Sequence, residues 1–177
     1  KLKTRGAKFV SVNPVRTGYS GIADEWLGIR PGTDGLFVMS LIRELLRAGK
    51  IDEEYLIRYT NVHWLVIQNP GGADHGLFVR DDDDVAQCWD GEKQALAANT
   101  DVNAKPTLVG EITLSDGRKA VPSFQLLAEH YLDDQYAPEA VASKTGIDAD
   151  TIRRVATELA EVAFEQSEMV DGKRRRF

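Results

Sequence analysis

The sequence has one cysteine, Cys88, in 177 residues. A single thiol excludes an intrachain disulfide, a four-cysteine zinc site and an iron–sulfur cluster held by this chain alone. It also favours a reduced, cytoplasmic setting over an oxidising, periplasmic one. Long hydrophobic runs are missing as well: no stretch approaches the roughly 18 apolar residues of a membrane span, so direct membrane insertion is not expected. A basic excess is absent. The 28 acidic and 22 basic side chains leave a net charge of −6, whereas a general binder of nucleic-acid backbone carries a basic footprint. Neither G-x-x-x-x-G-K-S/T nor G-x-G-x-x-G follows the first strand, which removes the standard triphosphate and simple dinucleotide fingerprints. What is present is a hydrophobic fraction of 42%, ample for the core of one domain or at most two small ones.

The apolar pattern places a strand at Lys8–Val12, ended by Asn13-Pro14, because proline lacks a donor and leaves the sheet. Trp26 to Ile29 suits a second short strand, broken by Pro31-Gly32. The clearest helix then runs from about Asp34 to Ala48, with Thr33 or Asp34 supplying the N-cap oxygen and Gly49 a left-handed terminus. Its apolar positions, Leu36 to Leu46, nearly encircle the first turns, which predicts burial on most sides. Strand, loop and buried helix make half of an α/β layer, with a short parallel sheet flanked by helices.

Asp52 caps a shorter helix through Tyr59. From residue 69 to 122 short apolar runs such as Gly76–Val79 and Leu108–Ile112 alternate with turn-formers, and Ser115-Asp116-Gly117-Arg118 is a hairpin turn. An irregular β-rich insertion within a single α/β domain spanning 1–177 is therefore expected. The last third is helical: Ser123 to Leu132, then a helix opened by Pro138 and ended by Gly146, then one capped by Asp148. Ile152, Val155, Ala156, Leu159 and Ala163 lie on one face of the last. Lys173 to Arg176 reads as a fraying basic tail.

The obvious chemical residues make little of a site. Cys88 has no histidine beside it and reads as an ordinary, partly buried thiol. His63, His75 and His130 form no H-x-x-x-H pair, and Asp81 to Asp84 lack the alternation of a calcium loop, so a solvated turn is expected there. More suggestive is where the strand end Asn13-Pro14-Val15-Arg16-Thr17 and the helix start Gly32-Thr33-Asp34 fall. In an open α/β sheet ligands settle at the carboxyl ends of strands, next to helix N-termini. The helix amides and the Thr33 hydroxyl can donate to an anion, Asp34 can accept from the N–H groups of a guanine, and Arg16 offers a cation for a diphosphate. Plain capping and turn formation is the alternative. Glu139 to Leu159 also has a helix-turn-helix look. Its three cations, Lys144, Arg153 and Arg154, face six carboxylates between Glu139 and Glu165, so phosphate backbone would be repelled and no nucleic-acid partner is expected.

Several stretches are similar to one family. Gly6-Ala7-Lys8-Phe9-Val10-Ser11-Val12-Asn13-Pro14, Ile22-Ala23-Asp24-Glu25-Trp26 and Ile29-Arg30-Pro31-Gly32-Thr33-Asp34-Gly35 resemble the molybdopterin oxidoreductases of the dimethyl sulfoxide reductase family. That family includes formate dehydrogenases, nitrate reductases and polysulfide or thiosulfate reductases. The likeness continues through Asp52 to Thr60 and returns at Tyr136 to Val141, Thr145-Gly146-Ile147 and Ile152 to Ala160.

The resemblance implies a Rossmann-like domain that seats one molybdopterin guanine dinucleotide of a molybdenum or tungsten enzyme. By position in the motif, Asn13, Pro14, Val15, Arg16 and Thr17 match the strand-end contact, and Gly32, Thr33 and Asp34 the second contact. Many relatives carry aspartate where this chain has Asn13. The family's iron–sulfur cysteines, its metal-ligating residue and its C-terminal cofactor-binding domain have no counterpart here, and Cys88 is not at the ligand position. The expectation is an interior domain of a larger catalytic subunit, without catalytic or metal-ligating residues and inactive alone. Its partners would be the remainder of that polypeptide and an iron–sulfur electron-transfer protein of the same complex.

Overall fold

A computed structural model describes residues 6–170 and 173–176. The chain is mixed α/β and divides into two compact units: Lys1–Lys50 with Tyr131–Phe177, and Ile51–His130. The second unit is thus inserted, in sequence, into the first.

In the first unit β1 (Val10–Val12) and β2 (Glu25–Leu27) form a parallel pair, registered Val10 to Glu25 and Val12 to Leu27. The segment joining them carries a 3-10 turn, Gly18–Gly21, and returns through Asp24, whose carboxylate accepts from the Phe9 amide at 2.8 Å. Helix α1 (Asp34–Arg47) follows. It ends in a Schellman arrangement: Gly49, at φ +64°, donates to Leu46 O, and Lys50 donates to Leu45 O. The chain then passes through α2 (Glu53–Tyr59) and α3 (Ser123–Leu132), which bracket the strands of the second unit. On its return come α4 (Pro138–Thr145) and α5 (Ala149–Ala160). Pro138 opens α4, Gly146 ends it at φ +80°, and Asp148 caps α5. The core is Leu27, Ile29, Phe37, Leu41, Val141, Ile147, Ile152, Val155 and Ala156.

Three expectations need correction in this unit. Helix α1 is not buried on most sides: Phe37 and Leu41 are buried, but Val38 is half exposed and Leu36, Ile42, Leu45 and Leu46 are only partly covered. The sequence records apolar side chains all round, but α4 and α5 supply helical neighbours on part of the circumference only. Leu159, placed on the buried face of α5, is 49% exposed. The basic tail does not fray: Lys173–Arg176 pairs antiparallel with Ser167–Val170, so backbone pairing overrides the charge run.

In the second unit Asp52 caps α2, and α3 leads out. Between them lies an antiparallel sheet built from β3 (Leu65–Gln68), β6 (Ile112–Thr113) and β7 (Lys119–Pro122), with β7 in the centre. A hairpin, β4 (Gln87–Asp90) and β5 (Ala95–Ala98), stands beside it. Leu65, Ile67, Val79, Ile112, Leu114 and Ala120 form its core. The unit runs from Ile51 to His130, past residues 69–122 at both ends, and Leu65–Gln68 pairs in full with Lys119–Pro122. The Asp116-Gly117 turn forms, with Gly117 at φ +87° and Leu114 N donating to Arg118 O. The run Gly76–Val79 forms one isolated bridge, Val66 to Phe78, with backbone hydrogen bonds to Leu65 and Ile67, and of Leu108–Ile112 only Ile112 enters a strand.

Candidate functional site

Parallel pairing puts the carboxyl ends of β1 and β2 on one edge. The backbone shows how close they run: Asn13 N donates to Leu27 O at 3.1 Å, one residue beyond the paired strands. The loop after β1 carries Asn13 to Thr17, and the loop after β2 leads to Gly32, Thr33 and Asp34 at the start of α1. Both leave from that edge. Asn13, Pro14, Val15, Arg16, Thr17, Gly32 and Asp34 are exposed, and Thr33 is partly so.

Their hydrogen bonding separates scaffold from available groups. Asn13 Oδ1 accepts from Val15 N at 2.9 Å, which makes Asn13 a turn-former with its side-chain amide left to donate. Thr33 sits at the N-cap position, yet its hydroxyl donates to Arg30 O at 2.7 Å and caps nothing. The cap expected of Thr33 is therefore absent, because the turn before α1 supplies a nearer acceptor. Asp34 lies inside the first turn, and its carboxylate makes no hydrogen bond or ion pair among the described residues. The start of α1 is thus exposed, and among the described residues no side chain caps its amides. Gly32, at φ +79°, has open space where a side chain would project, so a ligand can approach the backbone there.

Arg16 pairs with no carboxylate among the described residues; its guanidinium lies 5.9 Å from the Trp26 ring centroid. Several other cations of this unit are engaged. Lys8 donates to Glu158 at 2.6 Å, Arg154 pairs with Glu25 and Glu158, and Arg153 pairs with Glu139 and Asp150. Hydrogen bonds donated to Glu158 and Glu139 hold the partner cations charged, and those carboxyls are in turn held below their usual range. With both α5 arginines committed within the fold, the helix-turn-helix reading keeps only Lys144 of its three cations.

Trp26, Gly28 and Arg30 emerge only from the folded chain. The Trp26 ring covers Gly28 so closely that a Cβ there would meet it at 2.7 Å, and the indole Nε1 is buried without a partner. A glycine following a strand tryptophan is the one signal of such an approach. Arg30 Nη1 donates to Ser143 O at 2.7 Å, and Arg30 N donates to Thr145 O at 2.8 Å. These bonds moor the Gly32–Asp34 turn to the C-terminus of α4, where carbonyls carry partial negative charge.

Elsewhere, Cys88 is fully buried rather than partly so, its thiol donating to Ala97 O at 3.4 Å. Asp81 is not simply solvated: Oδ1 accepts from the amides of Asp83 and Val85 and Oδ2 from Gln87 Nε2, so it organises its turn. Among the described residues no three histidine, cysteine or acidic side chains converge as metal ligands, and no helix is long and apolar enough to cross a membrane.

No family model matches the chain. It is 46% identical over 175 residues to a sulfite dehydrogenase subunit of Allochromatium vinosum, covering 94% of this chain and 18% of that protein. It is 31% identical to a putative dimethyl sulfoxide reductase catalytic subunit of Halobacterium salinarum, over 89% of this chain and 19% of the relative. It is 28% identical to the formate dehydrogenase major subunit of Haemophilus influenzae, over 96% and 15% respectively. The chain spans less than a fifth of the length of each of these curated relatives.

Proposed function

The chain belongs to the molybdopterin oxidoreductases, as a segment matching their catalytic subunits, and on that premise we propose that it seats one guanine dinucleotide of the molybdenum cofactor. When bound, that cofactor supplies two-electron redox chemistry, with the protein contributing position and electrostatics. Asp34 accepts from the ring N–H and exocyclic amine of the guanine, next to the open backbone at Gly32 and the Thr33 turn. Arg16 faces the diphosphate, and Asn13, Pro14, Val15 and Thr17 shape the strand-end loop around it.

One observation carries this proposal: the α1 start has neither a capping side chain nor, among the described residues, a partner for Asp34. Polar groups left unpaired together at a strand-end edge suit an anionic, hydrogen-bonding ligand. The likeness to catalytic subunits supports the same cofactor class.

We also place this α/β domain, with its β-rich insertion, inside a larger catalytic subunit. Two features support that. A parallel pair alone leaves both outer strand edges unpaired, and α1 keeps half-exposed apolar side chains such as Val38. The rest of that polypeptide is the proposed cover, and an iron–sulfur subunit the proposed electron partner.

The test is a titration of the 177-residue chain with guanosine diphosphate, followed by amide NMR. Saturable shifts at Gly32 to Asp34 and at Arg16 are expected, and Asp34→Ala should remove them. Unchanged amides at Gly32 to Asp34 would leave Thr33 and Asp34 as turn residues of a ligand-free structural domain.

A further inference from the structure

The β-rich unit has a partly open cavity, of about 440 Å³, that the nucleotide proposal does not use. Ile57, Ala104 and Pro106 contribute apolar lining, and Arg58, His63 and Thr100 bring polar groups to the same cavity. His63 is 4% exposed, and its Nδ1 is sealed from solvent without a hydrogen-bond partner. Burial pushes its pKa down, with no carboxylate acting to raise it, so the imidazole is neutral. An unpaired N–H is the costlier group to seal away, which places the proton on Nε2 and leaves Nδ1 as the unpaired acceptor.

Arg58 is exposed at the rim. Its guanidinium lies 5.5 Å from the Tyr59 ring centroid and pairs with no carboxylate among the described residues. Two acidic groups, Asp101 and the Cys88 thiol, belong to the lining. Asp101 Oδ1 accepts from Asn103 N at 2.9 Å, and its Oδ2 is 3.8 Å from the Lys93 ammonium. The Cys88 thiol in the wall is pushed up, first by burial and then by Asp90 and Asp101, so it is uncharged. The cavity therefore combines donors, a cation with no carboxylate partner among the described residues, and apolar lining.

We propose that this cavity binds a small organic carboxylate, its head group between Arg58 and His63 and a short carbon body against Ile57 and Pro106. An ionised head gains charge-assisted hydrogen bonds from both donors, and the body gains from leaving water. The site is separate from the nucleotide edge, and its test does not depend on that proposal.

The test follows amide NMR of the whole chain during titration with butyrate, butyramide and sodium sulfate. Butyrate should give saturable shifts at His63, Cys88 and Thr100, and butyramide should give none at equal concentration. Arg58 is exposed, so Arg58→Gln should keep the dispersed spectrum while weakening butyrate roughly tenfold, the loss of one charge-assisted hydrogen bond. Absent or non-saturable butyrate shifts, equal shifts from butyramide, or undiminished butyrate binding by Arg58→Gln would each overturn the proposal. Sulfate matching butyrate in affinity would also overturn it, since the carbon body would then contribute nothing.

Discussion

At the start of α5, Asp148 accepts from both the amide and the hydroxyl of Thr151, at 2.8 and 2.7 Å, and the helix then buries Ile152, Val155 and Ala156 in the core. At the start of α1 the same kinds of residue do the opposite. Thr33 turns its hydroxyl back to Arg30 O, Asp34 has no partner among the described residues, and Gly32 leaves the approach open. One helix start is closed by its own chain; the other is held open by Arg30, moored to α4. A Thr-Asp or Asp-Ala-Asp-Thr string therefore does not by itself tell a cap from a site. The difference lies in which acceptor the fold brings nearest to each hydroxyl.

That contrast can be broken in three places. The largest effect is expected from Ile152→Ala, which opens a cavity at a fully buried position and should destabilise the protein by about 2–5 kcal/mol. A urea-unfolding loss well under that range would mean that α5 is not held by this core. Next comes Asp148→Ala, which should lower Tm by roughly 2–4 °C through loss of the cap. The Thr151 hydroxyl and amide hold the Asp148 carboxyl below its ordinary value of 3.8. Its contribution is thus fully present above that value and disappears as pH falls through the lower, folded one. Tm differences between wild type and Asp148→Ala should accordingly shrink on acidification below about pH 4; a difference that persists there would assign the effect to something other than the carboxylate. Smallest is Thr33→Val, expected to shift Tm by less than roughly 1–2 °C because the lost bond is exposed and caps nothing. A loss as large as that of Asp148→Ala would show Thr33 capping α1 in solution.

Much of the local structure was legible in the residues. Gly49 and Gly146 end their helices in the left-handed region, Pro138 opens α4, and Asp52 and Asp148 cap as their types require. Each of these rests on bonds spanning a few residues. Less legible were the features made by distant segments. Nothing near Leu65 announces Pro122 as its partner. The apolar girdle of α1 could not say how many neighbours would cover it, and Leu159 fell on the open side of a face read as buried. Charge alone also misled at Lys173–Arg176, where strand pairing decides the backbone.

For the candidate site, residue types and motif order pointed to the Asn13–Thr17 and Gly32–Asp34 loops, since a strand end and a helix start are written in neighbouring residues. Whether those groups are free was decided elsewhere. Trp26 lying over Gly28, Arg30 bonded to Ser143 and Thr145, and the sealed Nδ1 of His63 are all made by the packed chain rather than by the local string. Caps and turns follow from short-range sterics and hydrogen bonds, which the local sequence contains. The availability of a polar group depends on every acceptor and neighbour that folding brings within reach, and those are set only once the chain has packed.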